Sequence, residues 1–476
     1  MKKAILPILI IAIVWLTSCY KETISSDPAI KLSFSTDTVM FDTVFTSVGS
    51  ATRFVKIYNK SNKDIEIKSI ELAGGRTSPY RINVDGEPTP SAKNVYLKGS
   101  DSLFIFVEVT VNPTNNNSPL LITDSIIFNT NGNIQDVKLA AWGQDVHLLK
   151  NTTITTNTIF TADKPYLVVN DMVVAPNTNL TINAGAALHF HNLATLKVLG
   201  SLTVNGEPNS PVTFAGDRLE EFYQDKAGQW GGIWLSAGSH DSFINWAEIK
   251  NAIYGIVADT IGEINTKTLT IHNSRIQNMS VNALLARGSV VEAGNCLFAN
   301  TADQTVSLIW GGDYNFYHCT IANYWGQYIS RKSPALLLWN YYIDNNNNIQ
   351  PRDIVNAYFG NCIIYGSRNV EVSIINKYNN QPVNAQLNYI FDNCIVRVDQ
   401  TLDLTNETHF RNTTTENPKF KLPFEGNFEL DTLSAAKDKG LKSISILFPF
   451  DLNNISRTSD NGSDLGAFER IEKDKK

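Results

Sequence analysis

Charged residues, basic tracts and long apolar runs are scarce in this sequence of 476 residues. Asp, Glu, Lys and Arg together make up 18% of the chain, below the usual quarter, and Asn, Thr and Ser take their place. Runs of Ala, Leu, Glu and Lys, which favour helices, are absent. The net charge is −6 and no basic cluster occurs, so nucleic acid is not an expected partner. This composition predicts a sheet protein with many turns.

The one long apolar run lies at the amino terminus. Lys2 and Lys3 precede an apolar stretch over residues 4–16, which is too short to span a bilayer comfortably and is typical of a signal-peptide core. The stretch ends in Leu16-Thr17-Ser18-Cys19, which resembles the lipobox of bacterial lipoproteins. The resemblance implies cleavage before Cys19 and acylation of that residue, with several acyl chains giving a stable anchor. The alternative is an ordinary signal peptide with a chance cysteine.

Two charged residues follow the predicted anchor. Lys21 and Glu22 are similar to the Lys-acidic signal of Bacteroidetes surface lipoproteins, although Thr23 stands where a second acidic residue is usual. The similarity implies an outer-membrane lipoprotein that faces the cell surface. An anchor facing the periplasm is the alternative.

Residues 31–147 alternate between apolar and polar positions, as half-buried strands do. Turn clusters such as Gly74-Gly75 and Asn131-Gly132-Asn133 separate the runs. About seven short strands at this spacing predict an immunoglobulin-like β-sandwich. The segment contains no cysteine, so an inter-sheet disulfide is excluded. The clearest alternating run is Leu103, Ile105, Val107, Val109 and Val111.

From about residue 148 the pattern changes to short apolar triplets between turns, among them Leu180-x-Ile182, Leu188-x-Phe190 and Leu196-x-Val198. Strands this short and this often interrupted do not build a sandwich core. They fit a solenoid in which each triplet stacks on the equivalent triplet one coil later.

A repeated unit supports the solenoid. Each unit has six positions. The first and the last are apolar, the second and the fifth are spacers, the third is usually Asn, and the fourth is a small residue or Cys. Both apolar positions point inward only if a residue between them adopts the left-handed conformation, which Asn tolerates best among non-glycine residues. Stacked asparagines can then form hydrogen bonds from coil to coil. The units are Ile244–Ile249, Ile271–Ile276, Ala293–Phe298, Phe316–Ile321, Phe359–Ile364 and Phe391–Val396.

These repeats resemble the right-handed parallel β-helix, or pectin-lyase-like, lipoproteins of Bacteroidetes. Trp230-Gly231-Gly232-Ile233 and the closing Asp464-Leu465-Gly466-Ala467-Phe468-Glu469 add to the resemblance. It implies an all-β chain but no particular activity, because such proteins include lyases, hydrolases and proteins without known chemistry. The predicted segments are a signal peptide (1–18), a tether (19–30), the sandwich (31–147), the β-helix (148–450) and a carboxyl-terminal cap and tail (451–476).

The cysteines of the repeat are predicted to be packing residues. Cys296, Cys319, Cys362 and Cys394 occupy one column of the solenoid, and a line of sulfurs cannot form a tetrahedral metal site. Parallel neighbours about 4.8 Å apart are also poorly placed for a disulfide. The longer interval between Cys319 and Cys362 requires either an inserted loop or an extra coil.

Two loops are candidates for a binding surface. One runs from Asp217 to Lys226 and is rich in charge, and the other is the segment 323–354, whose aromatic residues are unusual for a connector. Aromatic faces stack on sugar rings or on protein partners. The alternative is a loop that folds back and covers the flank of the β-helix. The candidate residues of the second loop are Trp325, Tyr328, Arg331, Lys332, Trp339, Tyr341, Tyr342 and Arg352.

No set of residues in the sequence identifies a catalytic centre or a metal site. His189 and His191 share one face of a strand without an evident third ligand, and no serine lies in a nucleophile elbow. No cofactor is expected, and calcium is implied only if the protein is a polysaccharide lyase.

Six Asp-Ser/Thr-aliphatic triplets are similar to the O-glycosylation sequence of Bacteroidetes secreted proteins. The alternative is that Asp-Ser and Asp-Thr are simply residues with which β-strands begin. The candidate acceptors are Thr38, Thr43, Ser102, Ser125, Thr260 and Thr432.

Taken together, the sequence favours a non-enzymatic, surface-displayed scaffold that binds a glycan or an outer-membrane protein partner. The competing hypothesis is a polysaccharide lyase or glycoside hydrolase.

Overall fold

The computed structural model describes residues 23–113, 119–259, 266–325, 331–458 and 461–470. Cys19, Lys21 and Glu22, together with the candidates Thr260 and Tyr328, lie outside these residues. The chain divides into two compact units, and the boundary along the chain lies between Asp145 and Val146. Among the described residues no helix is long and apolar enough to cross a membrane.

The first unit is a β-sandwich of two five-stranded sheets. Their orders are β1-β3-β8-β5-β6 and β2-β10-β9-β4-β7, and pairing is antiparallel except between β2 and β10. The strands are β1 (Ser33–Phe34), β2 (Thr38–Phe45), β3 (Arg53–Tyr58), β4 (Ile65–Leu72), β5 (Tyr80–Val84), β6 (Glu87–Pro88), β7 (Ser91–Leu97), β8 (Ser102–Val109), β9 (Leu120–Thr130) and β10 (Asn133–Gln144).

Alternation along these strands builds one core between the sheets. In β8, Ile105, Val107 and Val109 are fully buried, whereas Phe104 and Phe106 point outward. The period-two prediction is therefore confirmed for this strand, and the sandwich contains ten strands where about seven were predicted.

The second unit is a parallel β-helix, as predicted, formed by 25 strands that join into one sheet. Its first strands are β11 (His147–Ile154), β12 (Thr158–Phe160), β13 (Tyr166–Val174), β14 (Asn179–Asn183), β15 (Ala187–His191), β16 (Thr195–Val198), β17 (Ser201–Asn205), β18 (Val212–Gly216), β19 (Gly232–Leu235), β20 (Ser242–Asn245), β21 (Ala247–Lys250), β22 (Ile256–Ala258), β23 (Leu269–His272) and β24 (Arg275–Met279).

The later strands are β25 (Leu284–Gly294), β26 (Leu297–Thr301), β27 (Val306–Tyr317), β28 (Thr320–Asn323), β29 (Leu336–Trp339), β32 (Ile354–Gly360), β33 (Ile363–Gly366), β34 (Val372–Ile375), β37 (Ile390–Asp392), β38 (Ile395–Val396) and β39 (Phe410–Arg411). Two of these later strands, β25 and β27, are long and each spans two sides of the coil. Three antiparallel hairpins lie outside this sheet: β30 (Tyr341–Ile343) with β31 (Ile349–Pro351), β35 (Lys377–Tyr378) with β36 (Gln381–Pro382), and β40 (Phe420–Leu422) with β41 (Asn427–Leu430).

Equivalent strands stack into three columns. The first, which we call the groove face, contains β18, β21, β24, β26, β28, β33 and β38. The second contains β19, β22 and β29 with the first halves of β25 and β27. The third, the asparagine face, contains β20, β23, β32 and β37 with the second halves of β25 and β27.

The corner between the asparagine face and the groove face confirms the repeat-based prediction. Asn273, Asn295, Asn361 and Asn393 all have φ between 50° and 54°, in the left-handed region. Asn295 Nδ2 donates to Asn273 Oδ1 over 2.8 Å, which links one coil to the next. Where Trp246 and His318 replace Asn, the backbone is left-handed as well, with φ of 50° and 48°.

The four cysteines after these corner residues are free and fully buried. The Cys319 amide contacts Cys362 Sγ at 3.4 Å, and the Cys362 amide contacts Cys394 Sγ at the same distance. Burial raises the pKa of the Cys296 and Cys362 thiols well above the usual value. All four side chains are shut off from solvent, so these cysteines act as packing residues.

The long interval between Cys319 and Cys362 is an inserted loop rather than an extra coil. Thr320 pairs directly with Ile363, so β28 and β33 belong to adjacent coils. The insertion includes the hairpin of β30 and β31.

The parallel sheet ends at Arg411, well before residue 450, where the sequence analysis placed its end. The following chain packs sideways against the groove face instead of adding coils. Leu297, Ala322 and Ile363 point outward on that face and form a second core with residues such as Phe428 and Leu465. We call residues 420–470 the C-terminal segment; it contains the α-helix α1 (Lys442–Ser445).

A buried ion pair fixes the end of this segment. Arg457 and Glu469 are fully buried, with Nη1 and Oε2 2.9 Å apart. Arg457 Nη2 also donates to Asn295 Oδ1 over 2.8 Å. The closing motif noted in the sequence therefore locks the C-terminal segment onto the corner of the β-helix.

Candidate functional site: a groove on the flank of the β-helix

The groove face changes character along its length. Its outward residues are polar on the earlier coils, with Glu248 paired to Arg275 and Lys250 paired to Gln277. On the next coil, Leu297 and Ala299 take the positions of Arg275 and Gln277. The residues at these positions on this coil and the following ones are covered by the C-terminal segment. Polar side chains thus mark the part of the face that the C-terminal segment leaves open.

This open part forms the floor of a groove of about 1010 Å³, which we call the flank groove. The groove crosses three successive coils, represented by Lys250, Gln277 and Asn300. The loop that contains Glu221 and Lys226 forms one wall, and residues 424–426 form another. Trp325 also lines it.

The loop wall is held in a fixed position. Gln229 Nε2 donates to the carbonyl oxygens of Tyr223 and Lys226 over 2.6 and 2.8 Å. Asn251 Nδ2 donates to Gln224 O over 2.7 Å. Two amide side chains, one directly after the loop and one that follows β21, therefore hold the loop in place.

Aromatic rings stand at the rims of the groove. Phe222 is 68% exposed and Phe424 is 58% exposed. Lys226 Nζ lies 4.8 Å from the centroid of the Phe222 ring, close enough for a cation–π contact. Apolar rings left this exposed, next to a polar floor, provide stacking surfaces with hydrogen-bonding groups beside them.

The floor carries polar groups that are available to a ligand. Glu248, Lys250 and Gln277 are half-buried, and their side chains make no hydrogen bond within the described residues. Arg275 is already bound, because Nη2 donates to Leu452 O and to Asn453 Oδ1. Burial lowers the pKa of Arg275, and the nearby Glu248 carboxylate opposes that shift. The floor thus offers both signs of charge and an amide.

The sequence-predicted aromatic surface of 323–354 is not one surface. Trp325 lines the flank groove, whereas Tyr342 lies on the inserted hairpin, where its ring contacts Trp310. Arg352 belongs to this hairpin cluster, and its Nη2 donates to Tyr342 Oη over 3.0 Å. Lys332 is exposed, and Trp339 is half-buried with its ring 5.3 Å from Tyr341.

Two of the predicted surface residues are buried, which corrects the prediction for them. The Arg331 side chain is 1% exposed and forms an ion pair with Glu371. Tyr341 is 5% exposed, and its hydroxyl donates to Lys377 O. Neither side chain can contact a ligand, because each is used to hold the insertion onto the β-helix.

The charged loop of 217–226, one of the two candidate loops, does line the groove through residues such as Glu221 and Lys226. The floor residues on β21 and β24 were missed, because a polar outward position on a strand looks the same whether it faces open solvent or a groove. The sequence does carry one signal of where the face is covered. In Leu297-Phe298-Ala299 the residues on both faces of the strand are apolar, which indicates that both faces are covered.

The paired histidines lie away from the groove floor. His189 Nδ1 bonds to Gly216 O, and His191 Nδ1 bonds to Asp217 Oδ2 over 2.6 Å. Burial lowers the pKa of His189. In the described part of the chain, no three His, Cys, Asp or Glu residues are grouped so that they could hold a metal ion.

A second, smaller cavity of about 590 Å³ lies on the asparagine face. Trp246, His272, Glu292 and Tyr317 line it, together with Phe448 of the C-terminal segment. A hydrogen bond from His272 and an ion pair with Lys267 lower the pKa of Glu292 to about 2. This carboxylate therefore stays ionised at neutral pH.

The candidate glycan acceptors of the described residues differ in exposure. Thr432 is exposed, and its Oγ1 accepts a hydrogen bond from Arg470. Thr38, Thr43, Ser102 and Ser125 are half-buried; Thr38 and Ser102 begin β2 and β8, whereas Thr43 and Ser125 lie inside β2 and β9.

Comparison with known proteins gives only distant likenesses. No family model matches the chain, and no curated protein matches it. The catalytic domain of a GH87 α-1,3-glucanase D1069A variant in complex with nigerose is similar over 74% of this chain and 81% of that chain, with 10% identity and a TM-score of 0.18. The ASH/PapD-like domain of human CEP192 is similar over 25% of this chain and 88% of that chain, with 10% identity and a TM-score of 0.17.

A family 123 glycoside hydrolase from Clostridium perfringens is similar over 28% of this chain and 30% of that chain, with 9% identity and a TM-score of 0.19. Likenesses this weak carry no argument about activity. The functional argument therefore depends on the geometry of the flank groove.

Proposed function

We propose that the protein is a lipid-anchored scaffold of the outer membrane, displayed at the cell surface, whose flank groove binds a glycan without cleaving it. The observation that carries the proposal is the groove itself, in which exposed aromatic rims flank a floor whose carboxylate, ammonium and amide groups make no hydrogen bond within the described residues.

The chemistry of the groove fits a hydroxyl-rich chain. Sugar hydroxyls can donate to Glu248 and accept from Lys250, while Gln277 offers both functions. The apolar faces of sugar rings can pack on Phe222 and Trp325. The mixture of charges does not fit a polyanion such as nucleic acid, which needs a predominantly positive surface.

The length of the groove supports a polymer rather than a small ligand. It spans three coils, and adjacent coils are about 4.8 Å apart, so its floor presents a repeating set of side chains along the axis of the helix. A polysaccharide presents an equally regular set of hydroxyls.

A lyase or glycoside hydrolase is the second candidate, and one observation favours it: the second cavity places Glu292 beside His272 and Tyr317. Glycoside hydrolysis requires a carboxylic acid that can donate a proton near neutral pH. A pKa of about 2 leaves Glu292 without that proton, so it does not fit the role of the acid. Binding is the function that the described residues support better.

The test of binding against catalysis uses the chain from residue 20, which retains every described residue. This protein is titrated with a panel of neutral and uronic-acid polysaccharides, and the mixtures are examined for unsaturated products and new reducing ends. We expect binding to at least one polysaccharide without new products. Release of products would establish the enzyme instead, and absence of binding across the panel would remove the proposal.

The proposed anchor and glycosylation have their own test. We expect the intact mass of the protein purified from its native membrane to exceed that of the polypeptide from Cys19 onward by several acyl chains, and by a glycan on at least one of the six acceptors. Replacing Cys19 by alanine should abolish the acyl mass and leave the glycan. A mass equal to that of the acylated polypeptide alone would refute glycosylation, and a mass without acyl chains would refute the anchor.

A further inference from the structure

The outer face of one sheet of the sandwich carries an exposed aromatic cluster, which we call the phenylalanine patch. It consists of Phe54, Phe104 and Phe106, which are 55%, 40% and 42% exposed. The ring of Phe54 lies 5.4 Å from that of Phe104 and 6.4 Å from that of Phe106. Three phenyl rings in mutual contact at a surface form a continuous apolar area.

The core of the sandwich does not need these rings. On the same two strands, Val55, Ile57, Ile105 and Val107 are fully buried and fill the space between the sheets. The phenylalanines occupy the alternate positions, where a polar residue would satisfy the fold equally well. Their exposure therefore points to a role in contacting something outside the unit.

The patch lies within about 13 Å of the end of the sandwich at which the chain enters, with Phe104 nearer to that end than Phe54 and Phe106. The Ser25 amide donates to Asp64 O, directly after the turn that follows β3. Tyr58, the last residue of β3, is four residues from Phe54, or about 13 Å along the strand. Only five residues separate Ser25 from Cys19, and the six steps between the two can span about 20 Å at most.

The chain leaves the sandwich at its opposite end. β10 begins at Asn133, whose Nδ2 donates to Pro28 O near the entry point, and runs to Gln144 at the far end. An acyl anchor at Cys19 would therefore hold the entry end next to the bilayer, with the patch about 7–13 Å further along the strands.

The residues that border the patch fit a lipid surface. Lys56 Nζ lies 5.0 Å from the Phe104 ring and 5.4 Å from the Tyr58 ring, and its flexible stem can direct the ammonium toward a lipid phosphate. Apolar rings bordered by a lysine and a tyrosine match the order of acyl chain, interface and headgroup.

We propose that the phenylalanine patch binds the surface of the lipid bilayer in which the protein is anchored, so that the sandwich rests against the membrane rather than hanging from a free tether. The location of the patch beside the bilayer depends on the proposed anchor at Cys19. Its affinity for lipid does not.

The experiment measures binding of the chain from residue 20 to vesicles of phosphatidylethanolamine and phosphatidylglycerol by co-sedimentation. We expect measurable partition of this unacylated protein, and a fall of about tenfold or more in the triple variant Phe54→Ala/Phe104→Ala/Phe106→Ala. The matched control is Met40→Ala/Leu121→Ala/Trp142→Ala, which removes exposed apolar side chains from the other sheet and should bind like the parent.

Several results would overturn the proposal. These are no partition of the parent protein, an equal fall in both triple variants, or a parent dimer in solution that the phenylalanine variant dissociates, which would make the patch a self-association surface. Circular dichroism of each variant shows whether the sandwich is folded. Because Cys19 is absent from this protein, failure of the anchor proposal would appear in the intact mass and not here.

Discussion

Replacing Glu371 by glutamine is expected to lower the free energy of unfolding of the β-helix by about 3–5 kcal/mol. Glu371 is fully buried, and its two carboxylate oxygens accept from the two terminal nitrogens of Arg331 over 2.5 and 2.8 Å. The amides of Ala335 and Arg368 donate to the same carboxylate. The substitution keeps the shape of the side chain but leaves the Arg331 charge buried without a counter-charge.

Denaturant unfolding of the chain from residue 20 measures this loss. Glu429→Gln is the matched control, because Glu429 pairs with Lys421 where both side chains are well exposed, and its loss should cost less than about 1 kcal/mol. The double variant Arg331→Met/Glu371→Gln should recover part of the stability, since no unpaired charge remains. Equal effects of Glu371→Gln and Glu429→Gln would contradict the account.

This ion pair also connects the fold to the groove. Arg331 Nη2 donates to Asn323 O at the beginning of the insertion that carries Trp325. The pair therefore holds both ends of a loop whose first residues line the flank groove. A glycan-binding defect in Glu371→Gln would be indirect, acting through the position of Trp325.

Replacing Phe222 by alanine is expected to weaken glycan binding by about tenfold or more, because the residue is 68% exposed and lines the groove. Lys250→Ala should also weaken binding, by removing a donor from the floor. Neither substitution touches a core residue, so the free energy of unfolding should change by less than about 1 kcal/mol.

Each of these variants has a matched control outside the groove. Leu433 is 72% exposed and does not line the groove, so Leu433→Ala removes an equally exposed apolar side chain. Lys332→Ala removes a lysine that the sequence assigned to the binding surface but that does not line the groove. Isothermal titration with the polysaccharide identified in the panel gives the affinities. If Lys332→Ala weakened binding and Lys250→Ala did not, the site would have to be moved to the inserted loop.

The repeating parts of the fold were predictable because their signals are local. The left-handed corner residue of each repeat follows from the spacing of two inward-facing residues, and Asn273, Asn295, Asn361 and Asn393 all adopt that conformation, as does His318 before Cys319. The burial of the cysteines follows from the same register.

The groove was predictable only in part, because it depends on contacts between residues far apart in the chain. Arg331 in a polar loop gave no sign that its partner would be Glu371, forty residues later. The end of the β-helix at Arg411 was missed for a related reason. Whether the following chain adds a coil or packs sideways is decided by outward apolar residues such as Ile363, which resemble ordinary strand residues in the sequence.

The register of the coils is the claim on which the groove depends, since it places Glu248 beside Arg275 and Lys250 beside Gln277. Counting reactive thiols in the chain from residue 20, before and after unfolding, tests that register most directly. The account predicts that no thiol reacts in the folded protein and that four react once it is unfolded without reductant. Thiols that react in the folded protein, or fewer than four after unfolding, would show that the cysteines do not form one buried column.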